Sequence, residues 1–190
     1  MLYCKAPAAH RIKTGTTFYS ATGWVDDNGK VRVNVDEWLV RSIRAKRGSK
    51  SKMGFKVLGT GDDMKFVNLA QKNSSTWIRR SSKIGDYGWD SSIPDYYRKQ
   101  FQHGADNLPY GIHTTPLKAL IYARASTDRC IASSKKWLAG ELTEQERKEI
   151  EQELSGEERT LKAIKTRITK IRKSNKKADS QILAKKKGPP

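Results

Sequence analysis

Thr17-Phe18-Tyr19-Ser20-Ala21-Thr22-Gly23-Trp24-Val25, Asp26-Asp27-Asn28-Gly29 and Lys30-Val31-Arg32-Val33-Asn34-Val35 follow one another, and their reading decides the fold class. Two β-prone runs flank an Asn-Gly pair, which marks a hairpin because turn residues there must tolerate positive φ. The return run alternates basic or polar residues with valine, so one face is buried and the other is wet. Residues 1–12, before this hairpin, read as an extended lead-in.

Beyond the hairpin the sequence predicts a helix, capped by Asn34 or Asp36, with Trp38, Leu39 and Ile43 on its inner face. It runs out in residues 44–52, where five cations stand among nine residues. A second hairpin is expected from Gly54-Phe55-Lys56-Val57-Leu58, the turn Gly59-Thr60-Gly61-Asp62-Asp63, and Met64-Lys65-Phe66-Val67-Asn68-Leu69. A third short strand covers Thr76-Trp77-Ile78-Arg79. Residues 81–113 are rich in Gly, Ser, Asp, Tyr and Pro, with a short helix predicted over Pro94–Phe101. So long an irregular stretch marks either a functional surface or displaced element boundaries.

The clearest helical start is Thr114-Thr115-Pro116, with Thr115 as cap and Pro116 at the first helical position, where a missing N–H costs nothing. Leu117, Leu120, Ile121, Ile131 and Leu138 share a face, and Gly140 is a stop. Thr143 and Glu146 then read as a capping box. Ile150, Leu154, Leu161, Ile164, Ile168 and Ile171 follow a heptad-like stripe whose phase survives Gly156, which favours one long helix over a restart at Ser155. A stripe this narrow needs a partner, either the body of the domain or another chain. The expected fold class is therefore α+β. An antiparallel-hairpin body over 12–140 packs on helices, a heptad-patterned extension covers 141–178, and a disordered basic tail covers 179–190.

Charge points to the partner. The formal net charge is +18 on 190 residues, and it is unevenly spread. Residues 1–140 carry 24 Lys/Arg against 11 Asp/Glu, 141–160 carry 3 against 8, and 161–190 carry 11 against 1. A surplus of this size repels itself in a compact state, and a polyanion neutralises it, so nucleic acid is the expected partner. Arg41, Arg44, Lys46, Arg47, Lys50 and Lys52 form the first candidate site, with Gly and Ser leaving the backbone free to follow phosphates. The second is the C-terminal segment, with Lys165, Lys170, Arg172, Lys173, Lys176 and Lys177 around the isoleucine stripe. The bland alternative for both is a solvated basic face. The acidic stretch upstream also permits antiparallel pairing of two copies, hence a homo-oligomer through 150–171. The third candidate interleaves Trp77 with Arg79 and Arg80, ahead of Tyr87, Trp89, Tyr96 and Tyr97, where bases stack on rings; core packing is the alternative.

Other chemistries find less support. Cys4 and Cys130 make no disulfide framework or zinc motif, and His10, His103 and His113 are scattered, so no metal or cofactor is expected. Asp62, Asp63, Asp86, Asp90 and Asp95 could serve a two-metal nuclease, but no signature spacing links them. Phosphate-cradling glycine motifs are missing from the sequence. The N-terminal Met-Leu-Tyr-Cys-Lys lacks a signal peptide's apolar run, and no apolar stretch is of membrane-spanning length, so the expected location is intracellular, cytoplasmic or nucleoid/nuclear.

The order of strands across 54–79 and a helix opening at Thr115-Pro116-Leu117 is similar to the three-stranded AP2-type DNA-binding module. The 81–113 insert interrupts that match, and no residue role is carried across. The leading expectation is a non-enzymatic nucleic-acid-binding protein, with DNA slightly favoured over RNA. The alternatives are a metal-dependent nuclease and a structural protein associated with a packaged genome or ribosome, in the style of a viral accessory protein.

Overall fold

Where valines alternate with polar residues, the chain forms strands, and the first two pair as the sequence predicts. The computed structural model describes residues 4–45, 65–72, 77–79, 87–89 and 97–186. In chain order the elements are β1 (Thr17–Val25), β2 (Val31–Ala45), β3 (Lys65–Gln71), β4 (Trp77–Arg79), β5 (Tyr87–Trp89), β6 (Arg98–Gln102), α1 (Pro116–Leu138) and α2 (Glu144–Lys186), with a 3₁₀ turn at Ala9–Arg11. One sheet has the order β1-β2-β3-β6, and β4 pairs with β5 in a separate antiparallel ribbon. The fold is α+β, as expected.

The chain divides into two compact units, 1–20 with 36–115 and 21–35 with 116–190, so β1 and β2 each contribute to both. This cuts the chain differently from the 12–140, 141–178 and 179–190 boundaries of the sequence reading: α1 and the hairpin tip cluster with α2.

In the sheet unit the core is Phe18, Trp38, Val40, Val67, Leu69, Phe101, Leu108, Ile112 and Ile12. Phe18 and Phe101 meet edge to face, ring centroids 6.1 Å apart, the geometry their ring quadrupoles favour. Trp38 donates its indole N–H to Ser20 Oγ at 2.8 Å. Of the expected extended lead-in, residues 4–8 are non-helical and tied down, with Ala6 N–H donating to Asp106 O and Leu108 N–H donating to Cys4 O, whereas Ala9–Arg11 turn into a 3₁₀ helix.

Two helix expectations are overturned here. Residues 36–45 continue β2 instead of forming a helix. Its ladder with β3 pairs Val40 with Leu69 and then Ser42 with Asn68, leaving a bulge at Arg41. The bulge shifts the inward face by one residue, so Trp38 and Val40 point in and Ile43, not Ser42, packs on the same core. Inward spacing of two and then three mimics a helical period. Likewise, of the helix expected over Pro94–Phe101, residues 98–101 belong to β6, which pairs antiparallel with β3, and 94–96 lie outside the described residues. Leu39 packs with Ala70 and Tyr97 in a small separate cluster. The β3 strand and the short strand at 77–79 stand where expected, but β3 has β2 and β6 on its two edges instead of the hairpin partner expected at 54–58; residues 54–64 lie outside the described residues.

In the helical unit the hairpin turn closes with Gly29 N–H on Asp26 O and Asp26 N–H on Lys30 O. Only Gly29 has positive φ, at 72°; Asn28 does not. The turn is therefore a three-residue loop ending on a left-handed glycine, not the two-residue type expected from Asn-Gly. α1 starts at Pro116 as expected and runs unbroken past Ser126 and Thr127. A five-residue connection returns the chain into α2, and α1 and α2 pack antiparallel: Ser134 meets Glu157, while Leu120 and Ala123 pack with Ile164 and Ile168. Ala21, Val33 and Val35 of the hairpin close that core, so within this unit Ile164, Ile168 and Ile171 find their partner in the same chain. α2 is one helix through Gly156 and continues to Lys186, beyond residue 179, where the sequence reading expects a tail.

Candidate nucleic-acid interface

α2 begins with the capping box its sequence encodes. Thr143 N–H donates to Glu146 Oε2 at 2.9 Å and Glu146 N–H donates to Thr143 Oγ1 at 3.3 Å, so two N–H groups without helical partners are satisfied reciprocally. The Thr143 hydroxyl and then its backbone N–H hold the Glu146 carboxyl below its ordinary value. From there the helix extends 43 residues, about 65 Å at 1.5 Å per residue.

Two arginines of α2 are structural anchors. Arg159 Nη1 donates to Gly29 O at 3.2 Å, and Arg167 Nη1 donates to Val33 O, both carbonyls of the hairpin. Close approach is possible because residue 23 is glycine: a Cβ there would lie 2.6 Å from Thr160 Cγ2. On the α1 side, Lys135 pairs with Glu158 at 3.0 Å, and Ser134 Oγ donates to Glu157 Oε2 at 3.4 Å. Burial pushes the Glu157 carboxyl up, with the Ser134 hydrogen bond opposing it.

The cations left over lie away from that packing. Lys162, Lys165, Lys170, Arg172, Lys173 and Lys177 are all exposed. Among the described residues none of the six has a carboxylate within ion-pair distance. Lys176 is exposed on the same helix. At 100° per residue, Lys162, Lys165, Lys173 and Lys176 fall within about 80° of one another, their mean direction about 120° from that of Ile164 and Ile168. A shallow depression of about 540 Å³ is lined by Lys162, Lys165, Thr166, Thr169, Lys170 and Lys173, among others. Thr166 and Thr169 donate their hydroxyls back to Lys162 O and Lys165 O, at 2.9 and 3.0 Å. The hydrogen-bond donors this face offers an anion are therefore its ammonium and guanidinium groups.

Sign changes abruptly along the helix. Residues 144–158 hold seven glutamates and two cations, and 159–177 hold nine cations and no acid. Glu144 and Glu146 in the first turn suit the positive end of the helix dipole. The dipole acts only over the terminal turns, so it does not account for Lys162 through Lys173, which stand more than three turns from the C-terminal end.

The other candidate residues distribute less tightly. Arg44 is exposed on β2 opposite Phe66, and Arg41 sits at the bulge, partly buried. Lys46, Arg47, Lys50, Lys52 and Arg80 lie outside the described residues. The β4–β5 register sets Trp77 opposite Trp89 and Arg79 opposite Tyr87. Sequence reasoning missed three features. Trp24 and Trp137 are exposed, at 46% and 61%, and Trp24 was legible from strand alternation next to inward Gly23. Lys99 stands with its ammonium 5.1 Å from the Trp38 ring centroid.

Asp62, Asp63, Asp86, Asp90 and Asp95 lie outside the described residues. Among the described residues no cluster of three or more His, Cys, Asp or Glu is placed to hold a metal ion. No described helix is long and apolar enough to cross a membrane. Comparison with protein-family models, with curated proteins and with solved structures gave no match.

Proposed function

We propose that this protein is a non-enzymatic nucleic-acid-binding protein that grips phosphates through the outward cations of α2. One observation carries the reading: six exposed cations between residues 162 and 177 have no carboxylate partner among the described residues, while arginines of the same helix are used as anchors. Unpaired cations repel one another, and a phosphate chain relieves that repulsion while releasing its own condensed counterions. Arg44, and the basic stretch that follows it in sequence, would add affinity of the same kind.

Salt dependence tests it. With about six phosphate contacts, affinity for DNA falls roughly a thousandfold between about 50 and 200 mM salt. Binding that stays level over that range, or no binding at low salt, overturns the reading.

A further inference from the structure

We infer that the α2 face is built for double-stranded nucleic acid, held by its phosphate ridge without base readout, with a footprint that ends at Glu158. The inference rests on the phosphate-binding reading above and narrows its ligand.

Three observations support it. First, α2 contains no Phe, Tyr or Trp from 144 to 186. Proteins that hold single strands offset the cost of ordering a flexible chain by stacking bases on aromatic rings, and this helix has none to offer. A duplex arrives already ordered and presents one charge per about 1.7 Å of axis, the denser target for a purely cationic row. Lys162 to Lys177 spans about 22 Å of rigid helix, about six to seven base pairs at 3.4 Å each.

Second, the far side of α2 is closed as far as Ile171. Ile164 and Ile168 are 0% and 4% exposed beneath the hairpin and α1. A helix reading bases must sink into a major groove about 12 Å wide, and over 160–171, where the hairpin and α1 cover its inner side, α2 cannot. Contact of Lys162, Lys165 and Lys170 is thereby confined to the backbone edge, where phosphates position but do not specify.

Third, the face has an end. Glu144, Glu151 and Glu158 recur at heptad spacing and continue toward the N-terminus the row that carries Lys165 and Arg172. A phosphate chain extended past Lys162 meets Glu158, already shared with Lys135, and then Glu151, which has no ion pair among the described residues.

The test is fluorescence anisotropy on the full chain, with probes compared at one fixed salt and the salt slope taken from a series. The probes are duplex DNA of about 20 base pairs in two unrelated sequences, duplex RNA of the same length, and the matching single strand. Expected are at least tenfold tighter binding of duplex than of single strand and at most threefold difference between the two DNA sequences. Duplex RNA binding as well assigns the site to the shared backbone chemistry; binding of one duplex form alone assigns it to that form. Lys165→Gln with Lys173→Gln lowers the salt slope for duplex by about two while the melting temperature holds. Glu151→Lys, on an exposed side chain, tightens duplex binding severalfold.

Single strand bound as tightly as duplex, or a tenfold preference between DNA sequences, overturns this inference and leaves the phosphate-binding reading standing. No binding of any probe overturns both. Salt-sensitive self-association abolished by the double lysine variant, with no duplex binding, assigns the face to a second copy and also overturns both.

Discussion

Lys99 on β6 and Lys165 on α2 carry the same ammonium group, and the two compact units use it in opposite ways. Lys99 is half-buried, donates to Tyr110 O at 3.2 Å and lies over the Trp38 ring. It pairs in register with Leu69 on the edge strand of the sheet. An inward-pointing charge on an edge strand discourages pairing with another sheet. Burial lowers its pKa. Lys165 is exposed, with no ion-pair partner among the described residues. The same contrast extends to neighbours: Lys72 pairs with Glu37 at 2.7 Å in the sheet unit, whereas the lysines of 162–173 stand in a row. Total charge therefore says little about function, because what matters is which cations the fold has already engaged.

The contrast between units can be tested first at their cores. The sheet unit rests on large aromatics, so Phe18→Ala, at a side chain 1% exposed, should cost about 3–5 kcal/mol in chemical denaturation. A loss under about 1 kcal/mol would show that the Phe18–Phe101 contact is not what holds that core. The helical unit rests on close approach, so Gly23→Ala should cost about 1–3 kcal/mol because the new methyl meets Thr160 Cγ2. Adding Thr160→Ser removes that carbon and should restore part of the loss; a strictly additive double variant would exclude the clash as its cause.

Smaller effects sharpen the electrostatic side. Thr143→Ala removes the α2 cap and should cost about 1 kcal/mol at neutral pH. The Glu146 carboxyl is held below its ordinary 4.5, so the stability it contributes is present above that value and lost as pH falls through the lowered folded value. The gap between wild type and Thr143→Ala therefore narrows in acid, readable as converging denaturation midpoints. For Lys99 the sign is reversed. Its folded pKa lies below the ordinary 10.5, so between the two values the unfolded chain holds more protons and stability rises with pH. Wild type should gain on Lys99→Met as pH climbs toward 10.5; a gap that stays constant would remove the desolvated ammonium from the account.

Much of the fold could be read from local chemistry. The 17–35 hairpin showed in alternation and an Asn-Gly turn, α1 in Thr115-Pro116, and α2 in Thr143 with Glu146 and a stripe whose phase passed through Gly156. The failures share a cause, since each depends on a neighbour distant in sequence. The Arg41 bulge is a property of the ladder between β2 and β3, invisible in β2 alone. Arg98–Gln102 buries only Phe101, so nothing in its composition announces a strand until β3 pairs with it. Gly23 reads as a strand weakness until Thr160 arrives beside it. The candidate site divides in the same way. A basic segment was visible in the sequence, but the split between anchors and outward cations was not, because carbonyls 130 and 134 positions away make Arg159 and Arg167 anchors.

Arg167 and Ile168 bind the hairpin and fill the core within the same two turns that carry Lys165 and Lys170. Anchor and cations are thus cut from one rigid thread, and their angular phase is locked. Adding a single residue between 165 and 170 would swing everything downstream by about 100°, turning lysines toward oil and isoleucines toward water. This segment should tolerate exchange of one side chain for another far better than any change in its length.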